Sequence, residues 1–355
     1  MNKQSPNPQN LVCPVPLRHN EKIVIGHGSG GLMTSDLIKE IFQSHFSNPI
    51  LDLGNDAAVI SLQHTSGRLV TSTDAHIVSP LFFPGGDIGR LAVCGTVNDV
   101  AMLGAKPLYL TASFIIEEGL PIDALEKIVQ SMQAACIEAG VAIVAGDTKV
   151  TEKGKCDELF ISTTGIGWLP DGKEIGGQYA KVGDAVIISG TLGDHGIAVL
   201  QARGDLGFQT DIQSDVAPLN KMLENLGLEI PEIHVLRDPT RGGLGTTLVE
   251  IAHQSHVSIQ IEEQFLPVRS DVKTACEMLG FDPIYIANEG KAVILLPDNQ
   301  AERALEVLHE HAYGKNAVRI GSVINDTHSR VLLHTQLGSN RVIGMLSGEM
   351  LPRIC

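Results

Sequence analysis

Apolar runs of strand length alternate with segments of helical periodicity along most of this 355-residue chain. The alternation occurs twice, because a glycine-rich connector between Trp168 and Asp184 separates one series from the next. Such a pattern predicts layers in which helices cover a β-sheet. Since a chain of this length is too long for one hydrophobic core, we predict two α/β domains in tandem.

The first domain is predicted to span residues 21–170, after a flexible leader over residues 1–20. Its predicted strands are 21–26, 68–73, 108–116, 141–145 and 159–165. Its predicted helices are 88–103 and 122–139, and the second of these has apolar residues at helical spacing.

The second domain is predicted to span residues 171–343 and to repeat the mixed pattern. Its predicted helices are 215–226, 245–253, 272–279 and 300–309, and its predicted strands are 185–188, 257–261 and 291–296. Residues 344–355 are predicted to form a flexible, mobile tail, because termini fray unless they are tied down and Gly344 and Gly348 loosen the backbone.

Charge and composition exclude several classes of partner. A net charge of -15 argues against nucleic acid and anionic membranes, and an aromatic content of 4% disfavours base-stacking platforms. No apolar run has the length of a membrane span and no apolar secretory segment begins the chain, so we expect a cytoplasmic protein. Five scattered cysteines are expected to be small buried residues: Cys13, Cys94, Cys136, Cys156 and Cys276.

Four aspartates stand beside small residues in the first domain, at Asn55-Asp56, Thr73-Asp74, Asn98-Asp99 and Gly146-Asp147-Thr148-Lys149. One such site is a common turn, and four unrelated turns remain the alternative. Four within about a hundred residues favour convergence on one cavity. Clustered carboxylates repel one another unless cations lie between them, and Mg²⁺ prefers a few carboxylates together with substrate phosphates. The series therefore predicts Mg-nucleotide binding.

A glycine loop, His27-Gly28-Ser29-Gly30-Gly31, precedes the first predicted helix. Gly26-x-Gly28-x-x-Gly31 matches the dinucleotide fingerprint, which supports a rival NAD-dependent oxidoreductase with Asp52 as the ribose-binding acid. No Gly-Lys-Ser/Thr follows, so the loop is not a P-loop. A flexible loop that covers phosphates is the more modest interpretation.

The second domain has three loops that combine glycine with charged residues: Gly193–Gly196, Asp238–Gly243 and Asn288–Lys291. Glycine beside polar groups is typical of loops that approach a ligand. Arg241 could clamp a phosphate or a carboxylate. Gly193–Gly196, with Asp194 and His195, is interpreted as a surface turn.

The chain ends in Pro352-Arg353-Ile354-Cys355, so its last side chain is a thiol. An extended tail from Glu349 could carry this sulfur roughly 20 Å from its anchor. A tethered thiol can visit more than one site, although a chance terminal cysteine is the simpler alternative.

These motifs together resemble the HypE family of hydrogenase maturation factors, the carbamoyl dehydratases of the AIR-synthase-like (PurM-like) superfamily. The resemblance covers about residue 22 to the last residue, and the Pro-Arg-Ile-Cys ending is its most specific part. The aspartate turns are shared by the whole superfamily. The chain departs from many members at Asn55, where a second acid is common.

The resemblance implies a two-domain α/β fold whose N-terminal ATP-binding domain pairs with a second copy, as a homodimer, to form a dimeric β-barrel. It implies ATP and Mg²⁺ as cofactors. A carbamoyltransferase, HypF, would load a carbamoyl group onto the terminal thiol, and ATP-dependent dehydration would leave a thiocyanate. The cyano group would pass to iron on a HypC–HypD scaffold complex for the [NiFe]-hydrogenase centre.

The resemblance also suggests residue roles. Cys355 would carry the carbamoyl group, Glu289 would be the base and Lys149 would assist it. The predicted metal ligands are Asp56, Asp74, Asp99 and Asp147. These four are also predicted to bind the nucleotide, together with Gly28, Gly30, Gly31, Asn98, Gly146, Thr148 and Arg241.

Three rivals belong to the same superfamily. A selenide water dikinase would have a reactive cysteine or selenocysteine near the glycine loop, where this chain has His27 and Ser29. A purine-pathway synthetase or a thiamine phosphate kinase would have no use for a terminal thiol. A non-catalytic carrier, which binds ATP and transports a group on Cys355, is the alternative from a different class.

Overall fold

Two β-sheets with their helices make up the computed structural model, which describes residues 21–55, 57–61, 66–204, 206, 211–346 and 354. In these residues the first sheet has the strand order β1-β6-β4-β5 and the second has the order β13-β12-β9-β11-β7-β10-β8. The predicted boundary at residues 170 and 171 lies between β6, the last strand of the first sheet, and β7, which belongs to the second.

The first sheet consists of long strands, covered on one face by two helices. Its elements are β1 (Arg68–His76), the short pair β2 (Phe82–Phe83) and β3 (Gly86–Asp87) beside it, α3 (Ile88–Ala101), β4 (Lys106–Glu117), α4 (Ile122–Ala139), β5 (Ala142–Thr151) and β6 (Leu159–Leu169). Asp87 caps α3 by accepting hydrogen bonds from the Gly89 and Arg90 amides at 2.7 and 3.1 Å. The apolar stripe of α4 faces the core, and Gly140 ends this helix in the left-handed conformation.

The opposite face of this sheet has no helix of the described residues over it. Along β6, buried residues alternate with half-buried ones, and the second set includes Thr164, Ile166 and Trp168. On β1 the same face has the exposed Leu69. A sheet face with apolar side chains and no covering layer is unusual in a monomer.

A helical segment precedes this sheet. It consists of α1 (Leu32–Leu37), a π-helical segment (Ile38–Gln43) and α2 (Ser44–Phe46), and short 3₁₀ turns at Ile25–Gly28 and Leu51–Leu53 flank it. Phe42 packs against Phe114 of β4 with ring centroids 4.7 Å apart, which anchors the segment to the sheet.

The second domain places helices around the larger sheet. Its elements are β7 (Asp184–Ile188), α5 (Asp194–Arg203), α6 (Asn220–Glu229), β8 (Val235–Arg237), α7 (Gly243–Ser255), β9 (Ser258–Glu262), α8 (Ser270–Leu279), β10 (Val293–Pro297), α9 (Ala301–His309), β11 (Val318–Ile324), β12 (Val331–His334) and β13 (Asn340–Ile343). β7 is buried along its whole length and is a continuous apolar run after Asp184, as expected for a central strand.

Most sequence-predicted elements are confirmed. The helix over 122–139 is confirmed to the residue, and strands 68–73, 108–116, 141–145 and 159–165 are present but longer. The predicted strand over 21–26 is wrong, because this segment forms only an isolated bridge at Lys22 and then a 3₁₀ turn. The predicted helix 215–226 begins only at Asn220, and α5 and β11 to β13 were missed.

The two domains meet where α3 contacts loops of the second domain. The Asn98 amide donates to the Ala217 carbonyl at 3.0 Å and to the Glu289 carbonyl at 3.4 Å, and its oxygen accepts from the Leu219 amide at 2.8 Å. We call this contact, formed by Asn98, Ala217, Leu219 and Glu289, the interdomain seam. Since these groups are buried, their hydrogen bonds fix the domains relative to one another.

Part of the tail lies against the protein. Ile354 is only 3% exposed and belongs to the core cluster of the first domain, while residues 347–353 and Cys355 lie outside the described residues. The mobility of the tail therefore stays a prediction, and the structure gives a docked position for Ile354. The leader over residues 1–20 is also outside the described residues.

The cysteine prediction is only partly right. Cys94, Cys136 and Cys276 are buried, whereas Cys156 is partly exposed and Cys13 is outside the described residues. Burial raises the pKa of Cys136 to about 12, as expected for an inert thiol in apolar surroundings. Within the described parts of the chain, no helix is both long enough and apolar enough to cross a lipid bilayer.

Candidate active site

Acidic side chains from both domains converge beside β1. Asp74 lies on this strand, Asp99 in the last turn of α3, Asp238 just after β8 and Glu289 just before β10. Asp99 and Asp238 line a cleft of about 560 Å³. The charges of Asp74, Asp99 and Asp238 all act on Glu289, so the four carboxyl groups share one electrostatic environment. We call Asp74, Asp99, Asp238 and Glu289 the acidic cluster.

Asp99 is held in place by a hydrogen bond from the Ser72 hydroxyl to its Oδ2 at 2.7 Å. Its position in the last turn of α3 is electrostatically unfavourable, because the carbonyl end of a helix has a partial negative charge. Burial raises the pKa of Asp99, and the Asp74 charge raises it further. An acid placed against these effects is suited to attract a cation.

Asp238 is affected even more strongly by its neighbours. Burial raises the pKa of Asp238 to about 7, and the nearby Asp99 carboxylate adds to the effect. A carboxyl group at this pKa is only partly ionised near neutral pH, and a positive charge bound near it would favour its ionised form. The residue type and setting therefore fit a magnesium ion that is held partly by nucleotide phosphates.

Glu289 is the most deeply buried acid of the cluster, with 4% of its surface exposed. Burial raises its pKa well above the ordinary glutamate value, and Asp215 is the next contributor. Among the described residues its Oε1 atom has no hydrogen-bond partner. A buried carboxyl oxygen without a partner is costly, so this atom is available for a proton or a ligand donor.

A buried ion pair between Lys291 and Asp215 holds the backbone of Glu289. Lys291 Nζ lies 3.1 Å from Asp215 Oδ2, and Asp215 Oδ1 accepts from the Glu289 amide at 3.1 Å. Burial opposes the ionisation of Asp215, but the Lys291 ammonium and the hydrogen bond from the Glu289 amide outweigh it and lower the Asp215 pKa. The charged pair therefore fixes the backbone of Glu289 while its side chain stays near the cluster.

The other predicted site residues lie along β5. The Lys149 ammonium contacts both oxygens of Asp147, at 2.8 and 3.0 Å, and this hydrogen bond lowers the Asp147 pKa. Gly28 of the glycine loop packs on the same strand, where an added Cβ would lie 2.7 Å from the Val150 nitrogen. Gly30 has a φ of +79°, which favours glycine.

A partly apolar cavity of about 210 Å³ opens beside this part of β5. Phe42 and Phe46 line one wall, and Gly146, Asp147 and Thr148 line the other. Aromatic and aliphatic walls with a few polar groups at the rim are typical of a site for a flat heterocycle such as a nucleotide base.

The structure separates this β5 side from the acidic cluster within one chain. Asp74 pairs with Thr163, Thr163 with Ala112, and Ala112 with Gly146, so β1 and β5 are opposite edges of the sheet. Three strand spacings correspond to about 14 Å. Asp74 and Asp99 are thus brought together, whereas Asp147 is not placed with them. Asp56 lies outside the described residues.

Among the described residues, no three His, Cys, Asp or Glu side chains are arranged so that they could hold a metal ion by themselves. The raised pKa values of Asp99 and Asp238 nevertheless fit residues that bind magnesium together with phosphate oxygens.

Several residues of the site were missed by sequence reasoning. Asp238 and Lys291 stood in motifs that were recognised but given no role, and Asp215 was assigned to a helix. The interpretation of Gly193–Gly196 as a surface turn is wrong. Asp194 and His195 lie at the start of α5, where they are only 5% and 0% exposed.

Asn98→Ala is expected to destabilise the protein by about 2–4 kcal/mol, because the change leaves the buried Ala217 carbonyl and Leu219 amide without partners. Thermal unfolding measures the loss. Thr148→Ala on β5 is the control and should leave stability nearly unchanged. Equal stability of Asn98→Ala and the unchanged protein, with weaker ATP binding, would instead favour the predicted nucleotide-binding role of Asn98.

Comparison with known proteins identifies the fold. Residues 54–169 match the family model for the N-terminal domain of AIR synthase related proteins, and residues 181–334 match the model for the C-terminal domain. The class is therefore that of two-domain AIR-synthase-related proteins. Carbamoyl dehydratase HypE of Azotobacter vinelandii is 51% identical over 336 residues, which cover 95% of this chain and 98% of that protein. The chain belongs to the HypE carbamoyl dehydratase family of hydrogenase maturation proteins.

Other relatives and solved structures support the same family assignment. Carbamoyl dehydratase HypE of Escherichia coli (strain K12) is 44% identical, with 94% of this chain and 99% of that protein covered. A crystal structure of HypE in complex with ATP superposes with a TM-score of 0.90 at 51% identity, and covers 94% of this chain and 99% of that one. A crystal structure of a HypE–HypF complex superposes with a TM-score of 0.76 at 52% identity, over 87% and 99% of the two chains.

Proposed function

We propose that this chain uses ATP to dehydrate an S-carbamoyl group on Cys355 to an S-cyanate, which supplies a cyanide ligand for the iron of a [NiFe]-hydrogenase. Family membership supports the overall reaction. The observation that carries the residue assignment is the docked Ile354, which precedes Cys355 in sequence and accepts a hydrogen bond from His195, a neighbour of the Asp215 that supports Glu289.

The reaction has two chemical steps. The carbamoyl oxygen attacks the γ-phosphorus of ATP, an N–H proton leaves, and ADP departs, which gives an O-phosphorylated thioimidate. A second N–H proton then leaves, the C–O bond breaks, and inorganic phosphate departs as the C≡N bond forms. Phosphorylation is needed because an amide oxygen is a poor leaving group. The sum is thiocarbamate plus ATP giving thiocyanate, ADP, phosphate and one proton.

Glu289 is the base in this proposal. Two N–H protons leave the nitrogen, and a carboxylate with a raised pKa accepts a proton more readily than an ordinary glutamate. Its Oε1 atom, which lacks a partner in the described residues, is the acceptor we assign. The Asp215–Lys291 pair holds the Glu289 backbone while the proton moves.

Phosphoryl transfer depends on positioning and charge neutralisation. Bound magnesium would neutralise phosphate charge, and we assign Asp74, Asp99 and Asp238 to hold it. Asp56 and Asp147 stay predicted ligands. Arg241 lines the same cleft as Asp99, where a guanidinium can pair with a phosphate. Because β5 and the acidic cluster lie at opposite edges of the sheet within one chain, the cavity beside β5 and the glycine loop of the second copy would bind the nucleotide.

We propose a homodimer in which two copies of the first sheet form a β-barrel. The uncovered face, with Leu69, Ile166 and Trp168, supports this assembly because pairing would remove that apolar area from water. Lys149 lies on β5, away from the acidic cluster of its own chain. Its proposed assistance to Glu289 therefore requires Lys149 of the second copy.

The partners follow from the chemistry. A carbamoyltransferase must load the terminal thiol, and the HypE–HypF complex of a relative supports HypF in this role. A HypC–HypD complex is proposed to receive the cyano group on iron. The cytoplasm stays the predicted location.

Mass measurement of the carboxy-terminal peptide tests the proposal. With carbamoyl phosphate, ATP and the transferase partner, the peptide is expected to gain a carbamoyl group and then lose one water. Cys355→Ala should bind ATP but stay unmodified, and omission of ATP after loading should leave the carbamoyl mass in place. An unchanged peptide mass, or label on Cys13 or Cys276 in Cys355→Ala, would overturn the assignment.

Ile166→Lys is expected to convert the dimer to a monomer, because a charge would be buried at the centre of the paired sheets. Sedimentation velocity measures the state. Ile137→Lys is the matched control, since Ile137 is 71% exposed on α4 and should tolerate the same substitution. A monomeric starting protein, or an Ile166→Lys variant that remains dimeric, would contradict the barrel.

A further inference from the structure

The position of Ile354 defines a docking place for the end of the chain. Its side chain is 3% exposed and lies in a core cluster that contains Phe83 of the first domain and Val199, Val216 and Ala287 of the second. Burial of a large apolar side chain favours the docked state by about 1.5–3 kcal/mol. Apolar burial alone, however, does not specify which way the backbone points.

His195 supplies the directional contact. Its Nε2 lies 2.7 Å from the Ile354 carbonyl oxygen, and its Nδ1 lies 2.8 Å from Ser214 Oγ. The imidazole is fully buried, and Phe83 packs edge-on against it at 5.4 Å. A carbonyl can only accept, so Nε2 must carry the proton in this contact.

The contact of the second ring nitrogen is compatible with this tautomer. With Nε2 protonated and the ring neutral, Nδ1 accepts the Ser214 hydroxyl proton. Ser214 Oγ in turn accepts from the Val216 amide at 3.2 Å. Donors and acceptors therefore match along this series of hydrogen bonds. Burial lowers the pKa of His195, which agrees with a neutral ring. Ser214 and Phe83 thus orient the imidazole through contacts that do not involve the tail.

We propose that His195 is a positioning residue that holds the docked carboxy-terminal segment through its Nε2–H hydrogen bond to the Ile354 carbonyl. This inference rests on the proposed function, in which the terminal thiol carries the reacting group. A peptide unit is planar, so fixing a carbonyl also restricts the residue that follows it. The contact therefore restricts the carrier residue that follows Ile354, and loading of the thiol outside this docking place requires the contact to break.

Two substitutions separate this role from simple packing. His195→Gln can keep a donor near the Nε2 position. His195→Asn keeps a polar group near Nδ1, where it can bond Ser214, but does not reach Ile354. His234→Asn is the matched control, because His234 is another buried histidine of the second domain, bonded to Asp184 at 2.9 Å.

The first measurement is the alkylation rate of the Cys355 peptide, followed by mass spectrometry on the full-length protein. We expect about tenfold faster alkylation in His195→Asn, from the loss of one buried hydrogen bond. His195→Gln and His234→Asn should stay within about twofold of the unchanged protein. An unchanged rate in His195→Asn, or equal acceleration in His234→Asn, would overturn the proposal.

The second measurement uses the loaded protein. Undocking should slow single-turnover dehydration in His195→Asn about tenfold while carbamoyl loading stays equal or becomes faster, and His195→Gln should restore dehydration. Equal slowing of both steps would indicate a structural role and overturn the proposal. If the peptide is never carbamoylated but alkylation follows the expected pattern, the proposed function fails and the docking role of His195 stands.

Discussion

Glu289→Gln is expected to slow dehydration by about 10²–10⁴-fold, the usual contribution of a positioned general base, while the carbamoyl group accumulates on Cys355. Gln has nearly the shape of Glu but cannot accept the N–H proton as a carboxylate does. ATP binding should persist, because the Asp215–Lys291 pair still supports the backbone at this position. Single-turnover mass measurement of the terminal peptide follows the stalled species.

The pH dependence provides an independent readout of the same residue. Because burial raises the pKa of Glu289 well above its ordinary value, the rate should fall with acidification at a higher pH than 4.5. Glu250→Gln is the control: Glu250 lines the same cleft but pairs with Arg237 at 2.6 Å. Cyanate formation at an undiminished rate in Glu289→Gln would remove this base from the mechanism and favour the non-catalytic carrier.

Local sequence patterns predicted the elements that have a long, regular periodicity. The helix over 122–139 and the strand over 68–73 needed only side-chain spacing, since packing agrees with local preference there. The convergence of Asp74 and Asp99 also followed from sequence. The rival NAD site is not supported, because in the part of the chain described from residue 21 onward no strand precedes the glycine loop, and the dinucleotide fingerprint requires one.

The rest depended on contacts between distant segments. Nothing local distinguishes Gly193–Gly196 from a surface turn, because contacts that bury His195 come from Phe83 and Ile354, which are far away in sequence. The amide of Asn98 was predicted to bind nucleotide, yet the structure uses it between domains. A short motif specifies the chemistry that a residue can perform, whereas long-range packing decides which neighbours it has.

The role of Asp238 was likewise not predicted from sequence, because in its motif only Arg241 was given a role. Its tertiary setting gives it a pKa of about 7, so the folded protein binds more protons than the unfolded chain between pH 3.8 and about 7. Stability of the ligand-free protein should therefore fall as pH rises across this window. Cation binding would reverse the loss, which is the expected pattern when a functional site is built at the expense of stability.

Asp238→Asn is accordingly expected to raise the stability of the ligand-free protein at pH 8 by on the order of 2 kcal/mol, allowing for the partial exposure of Asp238. For a chain of 355 residues this corresponds to about 3 °C in Tm. The same change should weaken magnesium binding, so that half-maximal ATP turnover requires an about 10–100-fold higher magnesium concentration. Calorimetry at pH 5 and pH 8, and turnover over a magnesium series, measure the two effects.

Asp326→Asn is the control of opposite sign. Asp326 lies between β11 and β12, where a hydrogen bond from His328 lowers its pKa to about 2, so its ionised form stabilises the fold and its loss should lower Tm at pH 8. A destabilised Asp238→Asn variant at pH 8 would show that Asp238 is satisfied within the folded chain. The acidic cluster would then be a structural network, and the magnesium site would have to lie elsewhere.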